Sequence, residues 1–424
     1  MKFAYFFTSV FLVFTFLRPQ EFLSWVNFPL LSISMALALA GYLGVKDKNV
    51  STSLHKYISS FFVIVVIGCF LNNSSAAMER SWDFWLNIIL PTVLFSNVLI
   101  SIDRQKRIMF WLVLTGGFIA HHSIGQTFSP DHIGWTGLEA MWRTDKKIWQ
   151  PLWFGILGDP NDLGQLFLVL VPFTLFLFAQ TSSILIKLIL LINFGLIMFG
   201  IFLTNSRGTL LGLVLMVGIW FWRKYGTFKT AIAGMAALPV FIIATRSAGE
   251  IDSDDESANA RLDAWVQGYL MLKDHPLFGV GKGGFSENHI KTAHNSVVLA
   301  YAETGLLGYF IWFFILSACL VWLYKLSSGY NFSGVNHSIY KKVEIERPLA
   351  VVLFYSLVGC LISSFFISRS YSPVLFMLIG FTMAQIVRFE KLIPGYKFKF
   401  KWQSFFPIAI AIPIVITVAS FKMR

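Results

Sequence analysis

The sequence predicts an all-α polytopic membrane protein of about 12–13 transmembrane helices, with one large external loop containing short helices. Three observations carry this prediction. Hydrophobic residues make up 56% of the chain and aromatics 17%, and only 13% is charged, about half the charge of an ordinary soluble domain. Apolar runs long enough to cross ~30 Å of hydrocarbon recur from one end of the chain to the other. Between them no stretch is left that is large enough for a soluble domain.

Taken in order, the runs lie near residues 3–17, 28–45, 57–71, 84–100, 108–124, 163–180, 184–203, 208–222, 230–245, 294–324, 348–367, 373–387 and 404–420. The first begins like a signal peptide, with Lys2 before an apolar run, but no small-x-small site precedes Arg18-Pro19, so it reads as a retained span. Cys69, Cys319 and Cys360 fall inside apolar runs without a pairing pattern and read as core residues.

With the N-terminus inside, 20 of the 34 Lys and Arg but only 5 of the 22 acids face the cytoplasm, which leaves +15 inside and −3 outside. The asymmetry follows the positive-inside rule. It also accounts for the overall charge of +12 as topology, because the basic residues are spread over many short loops instead of forming a nucleic-acid stripe. The organisation is therefore N-terminal helices 1–124, an external loop 125–162, core helices 163–245, a large external loop 246–293 and C-terminal helices 294–424. In the large loop, Asn259 to Leu272 puts Leu262, Trp265, Tyr269 and Leu272 on one helical face. That face suits the outer leaflet or the inside of the loop fold equally well.

Several motifs have a plain reading. Gly279-Val280-Gly281-Lys282-Gly283-Gly284 spells GxGxxG but follows His275-Pro276 in an external loop, without the strand and helix of a dinucleotide site. Its glycines instead let the backbone turn and approach a ligand or another segment. The run Asp252, Asp254, Asp255, Glu256 lacks the glycine and distal glutamate of a calcium loop and reads as solvated charge. Gly158-Asp159-Pro160-Asn161-Asp162 is a turn and helix cap, with a second use in holding sugar hydroxyls left open.

Other residues point to chemistry at the outer surface. Arg207, in Thr204-Asn205-Ser206-Arg207-Gly208, either snorkels to headgroups or offers its planar fork to a phosphate, with Ser206 and the following amides as further donors. Arg261 pairs poorly with Asp263 along a helix, since i,i+2 side chains do not face each other. Arg246 and Arg369 are external as well. His294-Asn295 stands where a polar loop becomes an apolar helix, with Gly305 and Gly308 spaced to let that helix pack closely on a neighbour. Trp135, Trp142 and Trp149 suit either stacking on sugars or anchoring at the interface.

His294-Asn295, nine residues, Gly305, two residues, Gly308 resembles the signature of bacterial O-antigen ligases. The Ser206-Arg207-Gly208 turn, the 158–162 element and the run from His275 to Gly281 are similar to the same superfamily, which includes O-antigen polymerases and protein O-oligosaccharyltransferases. The resemblance covers residues 158–308. It implies a multi-pass GT-C glycosyltransferase of the inner membrane, working at the periplasmic face, metal-independent, inverting and without a cofactor. The implied donor is a glycan on undecaprenyl diphosphate. The acceptor is lipid A-core, a growing glycan or a protein, and the product belongs to lipopolysaccharide or surface polysaccharide biosynthesis. Membrane lipid is a partner and nucleic acid is not.

An already activated glycosyl diphosphate requires only that an acceptor hydroxyl be deprotonated and the leaving diphosphate stabilised. His294 suits the first task, and Arg207 with Arg261 suits the second. Ser206, Asn295, Asp159, Asn161, Asp162, Lys282 and Arg369 are candidate substrate-binding residues. Ligase and polymerase share the donor and differ in the acceptor. A polysaccharide transporter or flippase is the alternative of a different class, and the lack of Asp, Glu, Lys and Arg at the centres of the expected spans argues against it.

Overall fold

Apolar helices that must satisfy their own backbone groups in lipid build this molecule. The computed structural model describes all residues except 24, 27, 47, 49–52, 73–75, 145–146, 236–255, 330–336, 394 and 424. Arg246, most of the acidic run and the greater part of the expected span 230–245 lie outside the described residues.

The helices are α1 (Lys2–Leu17), α2 (Leu30–Leu43), α3 (Ser53–Leu71), α4 (Ala77–Phe84), α5 (Leu90–Val98), α6 (Ile102–Phe128), α7 (Pro160–Gln180), α8 (Ile184–Leu203) and α9 (Arg207–Tyr225). After the undescribed stretch come α10 (Glu256–Asp274), α11 (Ser296–Ser327), α12 (His337–Ser364), α13 (Pro373–Leu392) and α14 (Phe406–Met423). Among the described residues, eight helices are long and apolar enough to cross a membrane, and α1 and α2 are shorter apolar helices. The expected span 84–100 is a helical run in which a π turn, Trp85–Ile89, joins α4 to α5. Among the described residues, a two-stranded hairpin, β1 (Met141–Arg143) and β2 (Ile148–Gln150), lies within the loop 125–162.

The helices α7 and α13 are the most enclosed: α7 packs on α8 and α12, and α13 packs on α5. Gln165 pins α7 to α12 by donating to the Cys360 carbonyl and to the hydroxyls of Ser363 and Ser364, at 3.1, 3.0 and 2.8 Å. At the rim, α8 leaves Ile184, Leu185, Leu188, Leu191 and Ile192 exposed, as a lipid-facing helix must. All three cysteines are free and buried.

The two ends of the bundle differ in character. At one end, Lys106 reaches Gln180 at 3.0 Å and Arg223 reaches Ser327 and Ser328. There too Arg388 forms a bidentate pair with Glu346, at 2.6 and 2.8 Å, and also binds the Leu99 carbonyl and Gln105. These are residues that charge partition assigns to the inside. The opposite end gathers the 158–162 element, the α8–α9 turn, the glycine loop and the loop between α12 and α13.

The glycine loop is anchored on a broken helix. Gly305 takes φ +63 and ψ −169 inside α11, a conformation that costs a side chain dearly. A Cβ there would lie 2.4 Å from the Leu277 backbone. Such a break is tolerated at membrane depth only where other groups satisfy the freed backbone, and residues 276–283 do so. Val280 and Gly281 donate to the carbonyls of Ala302 and Glu303, at 2.9 and 3.0 Å, and Leu306 donates to the Pro276 carbonyl at 2.8 Å. Gly308 has the role expected of it, its missing side chain admitting Ile64 of α3. Gly305 works differently: it permits the loop, rather than a neighbouring helix, to dock.

Candidate active site

Asp159, Asn161, Asp162, Ser206, Arg207, His294 and Asn295 sit at junctions between loop and helix, and capping chemistry explains why. Asp159 is the N-cap of α7, its Oδ1 accepting from the Asn161 backbone at 2.7 Å and from the Asn161 side chain at 2.8 Å. Asn161 Oδ1 in turn accepts from the Ser206 hydroxyl at 2.7 Å. Ser206 is the N-cap of α9, accepting from the Thr209 amide at 3.2 Å, so Arg207 becomes the first residue of that helix. Gly164 allows this approach, because a Cβ there would lie 2.4 Å from Thr209 Oγ1. The two elements therefore form one hydrogen-bonded unit across the ends of α7 and α9.

His294 is half-buried at φ +47, a region uncommon for side chains other than glycine and found more often at functional sites. Its backbone N–H donates to Ser368 Oγ at 2.8 Å. Asn295 is the N-cap of α11, accepting from Val297 and Val298 at 2.8 and 3.2 Å, while its buried Nδ2 has no hydrogen-bond partner among the described residues. Ser296 locks the same corner: its hydroxyl donates to the Ile367 carbonyl at 2.7 Å and accepts from the Arg369 amide at 2.9 Å. The loop after α12 thus fixes the residue triplet that opens α11.

Burial lowers the pKa of His294, the Arg261 charge lowers it further, and Lys291 and Arg143 add to this against the opposing pull of Asp159. The imidazole is therefore held in its neutral form. The same causes show that Arg261, Asp159 and the hairpin residue Arg143 are within electrostatic reach of the ring. Arg261 belongs to α10, which packs along α11 and α14 instead of standing away on a membrane surface. Trp265 of α10 donates to the Ala293 carbonyl at 3.0 Å, next to His294, and Gly268 gives way to Val298. The amphipathic run is thus packed within the fold.

Lys282 and Arg369 lie, with Ser368, on the wall of a cavity of about 370 Å³. Arg369 makes a two-pronged ion pair with Asp162, and that contact, outweighing the effect of burial, holds its guanidinium above its ordinary pKa. Lys282 pairs with Asp83 at 3.1 Å, and the adjacent Arg80 pairs with Glu287. Both pairs tie the glycine loop to α4. Of the tryptophans, Trp149 stacks on His132 at 4.5 Å and meets Trp142 across the hairpin at 5.1 Å. Trp135 joins Phe118, His122 and Trp153 in an aromatic cluster.

Four residues of this end were not singled out from the sequence. Ser368 holds the His294 backbone, and Gln165 lines the cavity. Glu303, buried in α11, accepts from the amides of Gly283 and Phe285 at 2.9 and 3.3 Å. Tyr371 also lines the cavity, and burial, together with the Glu303 charge, raises its hydroxyl pKa far above the usual value, so it stays a neutral donor. Glu303 had a visible signal: a carboxylate eight residues into an apolar helix is a functional candidate by default. The others had none beyond the polar triplet Ser368-Arg369-Ser370.

Among known proteins, no curated sequence matches this chain. Residues 190–313 match the family model described as O-antigen ligase, Wzy_C. That segment holds Ser206, Arg207, Arg261, His294, Asn295, Gly305 and Gly308, whereas Asp159, Asp162 and Arg369 join the site from outside it. Over residues 190–313, within a multi-pass helical fold, this chain is therefore similar to the O-antigen ligase family.

Proposed function

We propose that the protein transfers a glycan from undecaprenyl diphosphate to an acceptor hydroxyl, as an O-antigen ligase does, at the periplasmic face of the bacterial inner membrane. His294 takes the proton from the acceptor hydroxyl. The acceptor oxygen forms its bond to the anomeric carbon as the bond from that carbon to the phosphate oxygen breaks. The diphosphate leaves with the electron pair, stabilised by Arg207 and Arg261, and the anomeric configuration inverts. Asp159, Asn161 and Ser206 position Arg207 through their shared hydrogen bonds.

The observation that carries this reading is the setting of His294: it is fixed at a loop–helix junction by Ser368 and held neutral by burial and by Arg261. A neutral imidazole beside cations can accept a proton while the cations meet a departing anion. The test is a deletion strain complemented with the parent chain, His294→Ala or Arg207→Ala, with lipopolysaccharide and lipid-linked glycan resolved on gels. Loss of attached polymer while lipid-linked polymer accumulates is the expected result. Accumulation of single lipid-linked repeat units would instead mark a polymerase. Near-normal transfer by both variants at parental protein levels would remove the mechanism.

A further inference from the structure

The cavity beside His294 does not have the charge pattern of a phosphate site. Its wall presents three cations, Arg18, Lys282 and Arg369, and three carboxylates, Asp83, Asp162 and Glu303. Each cation already has an ion-pair partner: Glu21 for Arg18, Asp83 for Lys282 and Asp162 for Arg369. A diphosphate brings only acceptors and negative charge, so the carboxylates oppose it and no surplus of cations receives it. A sugar hydroxyl both donates and accepts without carrying charge, and matched donors and acceptors are what it needs.

The remaining lining agrees. Gln165, Ser286 and Thr292 add neutral polar groups, and Leu157 and Leu299 offer apolar surface for ring C–H groups. The volume of about 370 Å³ falls within the ~300–1,000 Å³ of small-molecule sites. The cavity also communicates with the base, because Ser368 on its wall is the residue that holds the His294 backbone.

We infer that this cavity is a saccharide subsite, which seats a sugar residue of the donor glycan or of the acceptor next to His294. The diphosphate then stays on the Arg207 and Arg261 side. This rests on the proposed function, and it assigns the paired residues Lys282, Arg369 and Asp162 to a neutral ligand instead of to the leaving group.

The test uses the full chain in lipid nanodiscs with Ser286→Trp and Thr292→Trp, which fill the cavity from exposed rim positions where substitution disturbs folding little, and Ser286→Ala as the size control. Transfer is measured with a glycan on undecaprenyl diphosphate, and binding is measured for that lipid and for bare undecaprenyl diphosphate. The expected result is a KM for one sugar-bearing substrate raised about tenfold by tryptophan, roughly one good hydrogen bond, and not by alanine, with bare undecaprenyl diphosphate bound as by the parent. A rise for the donor assigns the cavity to the donor's sugar, and a rise for the acceptor assigns it to the acceptor's. Unchanged KM for both substrates, or equal loss of affinity for the bare lipid, overturns the subsite. Should the parent chain transfer nothing, the proposed function fails by itself. The subsite is then judged by whether the glycan-bearing lipid binds more tightly than the bare lipid and whether Ser286→Trp abolishes the difference.

Discussion

The His294 shoulder and the neighbouring cavity share the loop of residues 367–370, and both display arginines and carboxylates, yet their charge states differ. On the His294 ring, the charges of Arg261, Lys291 and Arg143 act against that of Asp159. Along the cavity wall, cations and carboxylates are equal in number, and the cations are bound in ion pairs. Residue type alone would put Arg207, Arg261 and Arg369 in one class. Arg369 is bound to Asp162, a partner 207 residues away in sequence, and its guanidinium forms part of the cavity wall.

The contrast can be broken most directly at His294. His294→Ala is expected to reduce transfer by ~10²–10⁴, the usual contribution of a general base, while bare undecaprenyl diphosphate still binds. A variant with near-parental transfer rates would deny the shoulder its chemistry. Next in size, Arg207→Ala and Arg261→Ala should each cost ~10²–10³ in kcat, the effect of removing one donor from a developing anion. Comparable losses from both, in steady-state assays at saturating acceptor, are the outcome that supports a shared clamp.

Arg261 offers a second reading of the same contrast. The base works when neutral, so the acidic limb of the pH–rate profile should lie below the ordinary histidine value of 6.5. Replacing Arg261 with glutamine removes a cation that lowers the His294 pKa, so the limb should move to higher pH. A limb that stays in place would show that the two residues are not electrostatically coupled.

Gly305→Ala acts on both regions through the fold. A side chain at φ +63 costs ~1–2 kcal/mol from the backbone alone, and the clash with Leu277 adds to it. A lower Tm in detergent, with weaker protection of residues 276–283 in hydrogen exchange, is the expected signature. The smallest effect should come from Asp159→Asn, which keeps a capping side chain but removes a carboxylate that raises the His294 pKa. Its acidic limb should shift slightly to lower pH with little change in Tm, and a shift to higher pH would contradict the charge arrangement.

Much of the candidate site's framework was legible because its parts are local. Asp159 and Ser206 cap the helices that their residue types forecast, and the spacing from His294 to Gly308 carries a family resemblance. The apolar runs gave most spans, while Gly305 shows the limit: its spacing marked a close approach, but not that a loop would be the approaching partner. The hairpin at 141–150 was missed, since strands of three residues leave too short an alternation to read. The packing of α10 stayed undecided because an amphipathic face fits lipid and protein alike.

The sequence by itself determined the membrane class, the helix starts and the motif that holds His294, because hydropathy and capping act between neighbours in the chain. The tertiary structure alone decided which arginine meets which carboxylate, where α11 breaks and what repairs the break. Ion pairs and backbone-to-backbone docking join segments far apart in sequence, so their outcome depends on packing that no local pattern encodes.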